Sequence, residues 1–528
     1  MKFRRSDILG LVAVMAGLLS AACSSDAPEA SALPDDEGEG AYMTLRISAS
    51  GMGRSNPTGG EEGDGRVPGI RNENTISNLV LFFYDGQKGL DSDALTTFKY
   101  VRYFDDTEMV LKADGYVEYL FRLDTYVPAA GDRVAVVANM GPSVTRIKTL
   151  GALRQEIVGH AWREAGSLAD YNMFAMSSAF ADDGAVDVEN YSGTKESPFR
   201  AWISVERVAA RIDLRFDRSQ ISVFGENREL VYNAGATARV HLTHAAVVNA
   251  MQSGTWMMKH VTESADAPGC FATLKICGNE DVDGAGMPTN YVVEPSTTLK
   301  NDATDATQIE SWYGDTRAEY MRRNYAAVFA SGRGNLSPLL SDGRLAVDDR
   351  TDGFDMSMTL AYVNENTQPK EMHDSRFMTG LLFKAVYEPN DVYADDEASV
   401  KADYNRGETF WRYSPTRWEM DEETCLYFSN EVAAEAYRRS HPEDMGQVEE
   451  FPAGECYYNL WLRHARVEGA GAQDPPMGYG IVRNNIYRVG VSFTGPGRPN
   501  ADVSEPENIE SRIFVRKWNF RLHPTIIM

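Results

Sequence analysis

The stretch Leu79-Val80-Leu81-Phe82-Phe83-Tyr84, followed by the turn residues Asp85-Gly86, decides the fold class. Six consecutive bulky apolar residues before such a turn are typical of a fully buried β-strand. Helical patterns are few and cover only residues 143–156 and 429–440. Short strand-like stretches separated by Gly, Asp, Pro and Asn recur instead, at residues 133–138, 203–205, 210–216, 239–243, 383–387 and 487–493. The pattern predicts a mainly β protein of sandwiches or barrels, with a few short helices.

Length and composition allow two domains with hydrophobic cores. The chain has 528 residues, more than one ordinary domain, and 43% of them are apolar. Its net charge of −25 disfavours binding to nucleic acid and to anionic lipid. No apolar run after the N-terminal leader approaches the length that a membrane-spanning helix needs.

The N-terminus predicts an exported lipoprotein precursor. Three basic residues among the first five precede an apolar run from Ile8 to Leu19, and the small residues Ser20-Ala21-Ala22 stand directly before Cys23. The run is shorter than the ~20 residues of a spanning helix. We therefore expect residues 1–22 to be removed as a signal peptide and Cys23 to carry the lipid, palmitate included, at the outer membrane. The alternative is an ordinary secretory signal in which Cys23 has no role.

A short strand lies between two loose segments after the leader. Residues 24–40 are small, polar or acidic with almost no bulky apolar group, so they should stay flexible. Met43-Thr44-Leu45-Arg46-Ile47-Ser48 alternates apolar and polar residues, as a strand with one buried face does. A second loose stretch, rich in glycine, runs from Gly51 to Gly69 and contains Arg54 and Arg66. The arrangement indicates a strand that can be separated from the rest of the protein.

Candidate catalytic and metal-binding residues are few. The chain has no Gly-rich phosphate loop, no HExxH zinc motif and no GxSxG nucleophile elbow, so we expect neither enzyme activity nor a cofactor. Asn279, Asp281 and Asp283, with Gly284 after them, resemble the start of a calcium loop. Asn290 stands where the closing bidentate Glu would be, which favours a solvated acidic turn over a metal site.

Four cysteines follow Cys23. Cys270, Cys277, Cys425 and Cys456 could form two disulfides in an exported protein, with three possible connectivities. Their spacings match no zinc pattern. So few cysteines in a long chain cannot make a disulfide scaffold, and the fold must rest on its hydrophobic cores.

A more specific pattern lies near the C-terminus. Met477-Gly478-Tyr479-Gly480-Ile481-Val482-Arg483-Asn484-Asn485-Ile486-Tyr487-Arg488-Val489 leads into a strand that ends at Thr494-Gly495-Pro496-Gly497. Together with residues 76–85 and 205–212, this segment resembles the Bacteroidales fimbrillin family, the lipoprotein-derived subunits of type V pili. The resemblance is closest to the major subunit of the shorter of the two fimbriae, and the lipoprotein leader agrees with it.

The resemblance implies both a fold and an assembly mechanism. Fimbrillin subunits consist of two transthyretin-like β-sandwich domains and reach the cell surface as lipoproteins. An arginine-specific protease removes the N-terminal segment with its first strand, and the C-terminal strand of another subunit fills the resulting groove by β-strand addition. The removable strand keeps an unpaired sheet edge covered until the subunit is on the surface.

For this chain the resemblance implies a propeptide, two domains and a donor strand, at residues 23–71, 72–220, 221–510 and 511–528. The expected cleavage sites are Arg54, Arg66 and Arg71. Arg54 is preferred because Arg66 precedes Val67-Pro68 and Arg71 adjoins the first core strand. Arg46 lies inside the removable strand, where we expect it to be shielded.

The last residues are predicted to be the polymerisation strand. From Lys517 the sequence alternates cleanly, with Asn519, Arg521 and His523 on the same face as Lys517. The predicted residues of the polymerisation strand are Phe514, Trp518, Phe520 and Leu522, and the last three are its apolar plugs. The alternative is a terminal strand that completes its own domain.

The predicted function is a structural subunit of a cell-surface fimbria that supports adhesion. Its expected partners are other fimbrial subunits, the arginine-specific surface protease and, before assembly, the outer membrane. A tip or anchor role in the same fimbria is one alternative. Another is a surface glycan-binding lipoprotein of a nutrient-uptake system, since 8 Trp and 25 Tyr could stack on sugars.

Overall fold

The computed structural model describes a large part of the chain in separate ranges. They are residues 40–48, 66–68, 73, 76–86, 96–105, 110–111, 116–163, 173–178, 184–224, 227–235, 238–251, 254–258, 261–262, 290–291, 325, 327–341, 345–347, 354–367, 377–415, 425–464, 478–501 and 509–519.

Strands dominate these ranges. In chain order they are β1 (Ala41–Ser48), β2 (Arg66–Pro68), β3 (Leu79–Asp85), β4 (Tyr100–Phe104), β5 (Val110–Leu111), β6 (Tyr116–Leu123), β7 (Asp132–Ala138), β8 (Ile157–Val158), β9 (Trp162–Arg163), β10 (Met173–Phe174), β11 (Met176–Ser178), β12 (Val186–Asp187), β13 (Phe199–Arg207), β14 (Ala210–Phe216), β15 (Ile221–Phe224), β16 (Asn227–Ala234), β17 (Ala238–Val248), β18 (Thr255–Trp256), β19 (Val261–Thr262), β20 (Asn290–Tyr291), β21 (Ala346–Val347), β22 (Met356–Val363), β23 (Gly380–Glu388), β24 (Phe410–Ser414), β25 (Leu426–Phe428), β26 (Gln447–Phe451), β27 (Glu455–Trp461), β28 (Asn485–Phe493) and β29 (Ile509–Asn519). The α-helices are α1 (Leu150–Arg154), α2 (Ala327–Ala330), α3 (Leu336–Ser341) and α4 (Glu431–Ser440). The predicted mainly β fold class is confirmed.

Two large sheets organise the described strands. The first has the order β4-β3-β7-β11-β13-β1-β6-β5, with β12 paired to β13. The second has the order β21-β22-β14-β28-β16-β17-β23-β27, with β15 paired to β16 and β29 paired to both β28 and β2. A smaller sheet, β25-β24-β26, packs against α4.

Each large sheet has its own hydrophobic core. The first core contains β3, whose residues from Leu79 to Tyr84 are all buried, which explains why that strand is apolar throughout rather than alternating. The second core contains β14 and β28, where Ile212, Leu214 and Val489 are fully buried.

The change of sheet occurs at Val208 and Ala209, between β13 and β14. This point lies ahead of the division expected at residue 220. The domain limits at 72–220 and 221–510, and the transthyretin-like sandwich architecture, stay predictions.

The two predicted helices have different outcomes. α4 confirms the helix expected at 429–440, and Asn430 caps it by accepting a hydrogen bond from the backbone N–H of Ala433 at 2.9 Å. The helix expected over 143–156 is wrong as a single element. Thr149 has an extended backbone and caps α1, so it separates that short helix from a 3-10 turn at Pro142–Arg146.

Candidate functional site

β1 lies inside the first sheet rather than at its edge. It runs parallel to β13, with Leu45 opposite Ala201, and antiparallel to β6, with Leu45 opposite Tyr119. Both edges of β1 are therefore paired. The strand predicted at 43–48 is confirmed, and its removal would leave a groove flanked by β13 and β6.

The inward face of β1 is part of the first core. Met43, Leu45 and Ile47 are 0% exposed, and Ala41 is also buried. Burial of a large apolar side chain stabilises a protein by roughly 1.5–3 kcal/mol. A groove without β1 would therefore expose a row of apolar positions at every second residue, which only another apolar-faced strand matches.

The outward face of β1 carries one charged contact. Arg46 donates from Nε to Oε2 of Glu118 on β6 at 2.7 Å, and its guanidinium carbon lies 5.3 Å from the ring centre of Trp202 on β13. Both side chains of the ion pair are about one quarter exposed, at 27% and 24%. Arg46 is thus held within a paired strand, as expected for an arginine shielded from a protease.

The tail is seated on the second sheet of its own chain. β29 runs antiparallel along all of β28, from Ile509 opposite Phe493 to Lys517 opposite Asn485. Its other edge is covered over three residues by β2, which pairs in parallel with Lys517–Asn519. Ile509 and Ile513 pack against the second core.

The predicted site residues of the tail fall partly in this strand. Phe514 lies opposite Arg488 of β28, and Trp518 lies opposite Val67 of β2. Phe520 and Leu522 are outside the described residues. Of the predicted cleavage sites, Arg66 begins β2, whereas Arg54 and Arg71 are outside the described ranges, as is Cys23.

The tyrosine of the C-terminal signature closes the loop before β28. Tyr487 accepts a hydrogen bond from the backbone N–H of Val482 at 2.8 Å and donates to the carbonyl of Gly480 at 3.3 Å. The Gly-Pro-Gly turn packs equally closely, because a Cβ on Gly497 would stand 2.2 Å from the carbonyl oxygen of Tyr457. The signature therefore encodes a specific path of the chain into and out of β28.

The arginine of the signature, Arg483, forms a buried ion pair that the sequence did not predict. Arg483 is buried and donates from Nε and Nη2 to Oε2 of Glu365, at 3.0 and 2.8 Å. It also donates to Oγ1 of Thr255 at 3.1 Å and to the carbonyl of Met257 at 3.1 Å. Met257 belongs to the first core, so Arg483 joins the loop that precedes β28 to the other half of the molecule.

Asn484 makes a second link across the same junction. Its backbone adopts a left-handed conformation (φ 55°), and its N–H donates to the carbonyl of Ala209 at 2.7 Å. Its side-chain oxygen accepts from the backbone N–H and from Nη1 of Arg207, at 3.3 and 3.2 Å. An asparagine suits this position because it tolerates positive φ better than most residues.

A buried polar network fixes Glu73, just after the predicted propeptide limit at residue 71. Glu73 accepts from Arg211 Nη1 at 2.8 Å and from the Tyr362 hydroxyl at 2.7 Å, and its carbonyl accepts from Arg207 Nε at 2.9 Å. Burial lowers the pKa of Arg207 to about 9, although the charge of Glu73 opposes this. Burial also acts to lower the pKa of Arg211, but Asp213 and Glu73 outweigh it and raise that pKa.

The cysteine predictions are partly resolved. Cys425 and Cys456 are buried in the second core and are not joined to each other by a disulfide, and burial raises the pKa of Cys456 to about 11. Cys270 and Cys277 are outside the described residues.

The described ranges hold no group of three or more His, Cys, Asp or Glu that could bind a metal ion. The calcium candidates Asn279, Asp281 and Asp283 lie outside these ranges. No helix among the described residues is long and apolar enough to cross a membrane.

Comparisons with solved structures give low structural similarity over nearly the whole chain. The chain is similar to the tip fimbrial protein Mfa3 from Porphyromonas gingivalis with C-terminal truncation (10% identity, 91% of this chain and 100% of that chain, TM-score 0.34). It is similar to a fimbrilin, FimA, from Porphyromonas gingivalis W83 (12% identity, 92% and 99%, TM-score 0.33). It is also similar to a Parabacteroides distasonis protein provisionally assigned to cell adhesion (13% identity, 91% and 100%, TM-score 0.38). No curated protein matches the chain.

The family comparison concerns the C-terminal region described above. Residues 449–521 match the model for the major fimbrial subunit protein type IV, fimbrillin, C-terminal. The matched segment contains Arg483 and Asn484, Tyr487, β28 and all of β29. The C-terminal region of this chain is therefore similar to the C-terminal region of fimbrillin subunits.

Proposed function

We propose that this chain is a structural subunit of a cell-surface fimbria, assembled from a lipidated precursor by arginine-specific proteolysis and β-strand exchange. The observation that carries the proposal is the position of β1. It is paired along both edges and buried on its inward face, yet it is followed by a glycine-rich stretch with arginines. Loss of β1 would convert a complete sheet into an acceptor for a strand from another copy.

The tail is the proposed donor, and it has two parts. Ile509–Arg516 anchors the tail on its own β28, and residues 517–528 extend into the groove of the next subunit. In the isolated chain, Lys517–Asn519 form the start of the extending part. One edge of this segment pairs with β28 only at Lys517, and the other edge pairs with the three residues of β2. In the groove it would gain partners along both edges, at a net ~0.5–1.5 kcal/mol for each added hydrogen bond.

The expected cleavage point is Arg54. Arg46 is held by two neighbouring strands and by Glu118, and Arg66 is paired in β2, opposite Lys517. A protease needs an extended, accessible backbone, which favours the glycine-rich stretch upstream of β2. N-terminal sequencing of assembled material should therefore begin at Ser55.

Treatment of purified precursor with an arginine-specific protease tests the proposal. We expect a ladder of polymers whose subunits all lack β1, and we expect no ladder from a variant with Arg54, Arg66 and Arg71 replaced by Ala. Assembled subunits that begin at or before Tyr42 would show that β1 is never removed, and the exchange mechanism would then be wrong. A cleaved chain that stays monomeric and binds oligosaccharide would favour the glycan-binding alternative.

Cys23 is the proposed lipid attachment site. We expect Cys23→Ala to abolish labelling with a radioactive fatty acid and to prevent delivery to the cell surface. Cys425→Ala is the matched control, because Cys425 is a buried cysteine of the second core, and its labelling should be normal. Normal labelling of the Cys23 variant would leave an ordinary secretory signal as the explanation of the leader.

A further inference from the structure

We propose that Glu118 and Trp202 form an arginine-binding site that fixes the register and direction of the incoming strand, and that Arg521 of a second copy replaces Arg46 there. The proposal rests on the proposed strand exchange and adds the residues that recognise the donor.

The first support is a pattern shared by the two ends of the chain. β1 contains Met43-Thr44-Leu45-Arg46-Ile47, and the tail contains Trp518-Asn519-Phe520-Arg521-Leu522. Both read apolar, small polar, apolar, arginine, apolar. In this alignment the three plugs take the positions of three fully buried residues of β1, and Arg521 takes the position of Arg46.

The second support is the contact that Arg46 makes. A carboxylate at 2.7 Å and the face of an indole at 5.3 Å are the two partners that a guanidinium binds well. With β1 in place, Glu118 is about one quarter exposed and Trp202 about half exposed, and departure of β1 would take Arg46 away from both. An incoming arginine restores both contacts, whereas an acidic residue would meet the charge of Glu118.

The alignment also selects one direction and one register. A strand inserted in the direction of β1 sets Arg521 opposite Glu118, as Arg46 is in the present register. A reversed strand with the same plugs would set Asn519 there. If Arg516 were used instead, Lys517 would enter the buried position of Ile47, where an unpaired charge is strongly unfavourable.

The groove must also accept larger side chains than those it loses. Trp518 and Phe520 are bulkier than Met43 and Leu45, so groove neighbours must move to admit them. The apolar plugs therefore supply the buried surface, and the arginine-binding site supplies the selection between registers that would bury similar plugs.

The test compares the polymerisation rates of protease-treated full-length variants. We expect Arg521→Glu to slow polymerisation at least about tenfold, because like charges then face each other at Glu118. Arg516→Glu is the matched control, with the same charge change outside the aligned segment, and its rate should stay close to that of the unchanged chain. The triple variant R46E/E118R/R521E keeps an ion pair of reversed charge in both the precursor and the polymer, so its rate should recover.

The outcomes separate this inference from the proposed function. Equal rates for Arg521→Glu and the unchanged chain would overturn the arginine-binding site, as would equal slowing by Arg516→Glu or failure of the triple variant to recover. Strand exchange itself would still stand if Trp518→Asp with Phe520→Asp abolished polymerisation. If that double variant polymerised normally, both the donor assignment and the arginine-binding site would be wrong.

Discussion

A chain that lacks residues 520–528 should fold as a monomer, accept a donor strand after cleavage and be unable to donate one. The deletion removes two predicted plugs, Phe520 and Leu522, together with Arg521. It retains all of β29, including Ile509 and Ile513, which pack against the second core. Its thermal unfolding should therefore match that of the full-length chain, while protease treatment yields no ladder.

A substitution pair gives the same test without shortening the protein. Trp518→Asp with Phe520→Asp should abolish donation, because burying an unpaired carboxylate in an apolar groove is strongly unfavourable. His523→Asp is the control on the other face of the strand, and it should still polymerise. A truncated chain that loses its cooperative unfolding transition would instead show that the end of the tail completes its own domain.

Arg483→Met should destabilise the protein by about 3–5 kcal/mol, because removing one partner of a buried ion pair leaves the other charge without compensation. Glu365 is 5% exposed, and Arg483 Nη2 lies 2.8 Å from its carboxylate. The variant also removes the hydrogen bonds to Thr255 and Met257, which link the loop before β28 to the first core. Urea unfolding should show the loss as a lower midpoint.

Two further variants control this prediction. Arg218→Met removes an exposed arginine at 3.8 Å from Asp355 and should change the free energy of unfolding by less than about 1 kcal/mol. Arg483→Met combined with Glu365→Leu removes both charges and should be less destabilising than Arg483→Met alone. Equal urea midpoints for Arg483→Met and Arg218→Met would mean that the Arg483–Glu365 ion pair does not stabilise the junction between the loop before β28 and the first core.

Local sequence patterns were sufficient to predict β1 and β3 as strands. The alternation in Met43–Ser48 indicates a strand buried on one face, and the apolar run Leu79–Tyr84 indicates a strand buried on both faces. Such patterns can be recognised because the polarity of each side chain favours burial or exposure. What alternation cannot give is the neighbour of a strand. That β1 lies between β13 and β6, rather than at an edge, follows from pairings over long sequence separations.

The ion pair between Arg483 and Glu365 could not be predicted from the sequence for the same reason. Arg483 is part of a recognisable signature, but its partner Glu365 is 118 residues away and has no motif of its own. Nothing in the sequence distinguishes Glu73 from the other Asp and Glu residues, 77 in all, although it is fully buried between Arg211 and Tyr362. Only the arrangement of the two sheets reveals that these groups meet.

The central claim is that cleavage creates an acceptor and that the tail of another copy fills it. The most direct measurement mixes two chains that can each perform one half of the exchange. One is the cleaved chain that lacks residues 520–528, and the other is the full-length chain with Arg54, Arg66 and Arg71 replaced by Ala. Light scattering after size-exclusion chromatography should show a one-to-one complex in the mixture and monomers in each separate sample. Monomers only in the mixture, or an equal amount of complex when neither chain is cleaved, would contradict strand exchange.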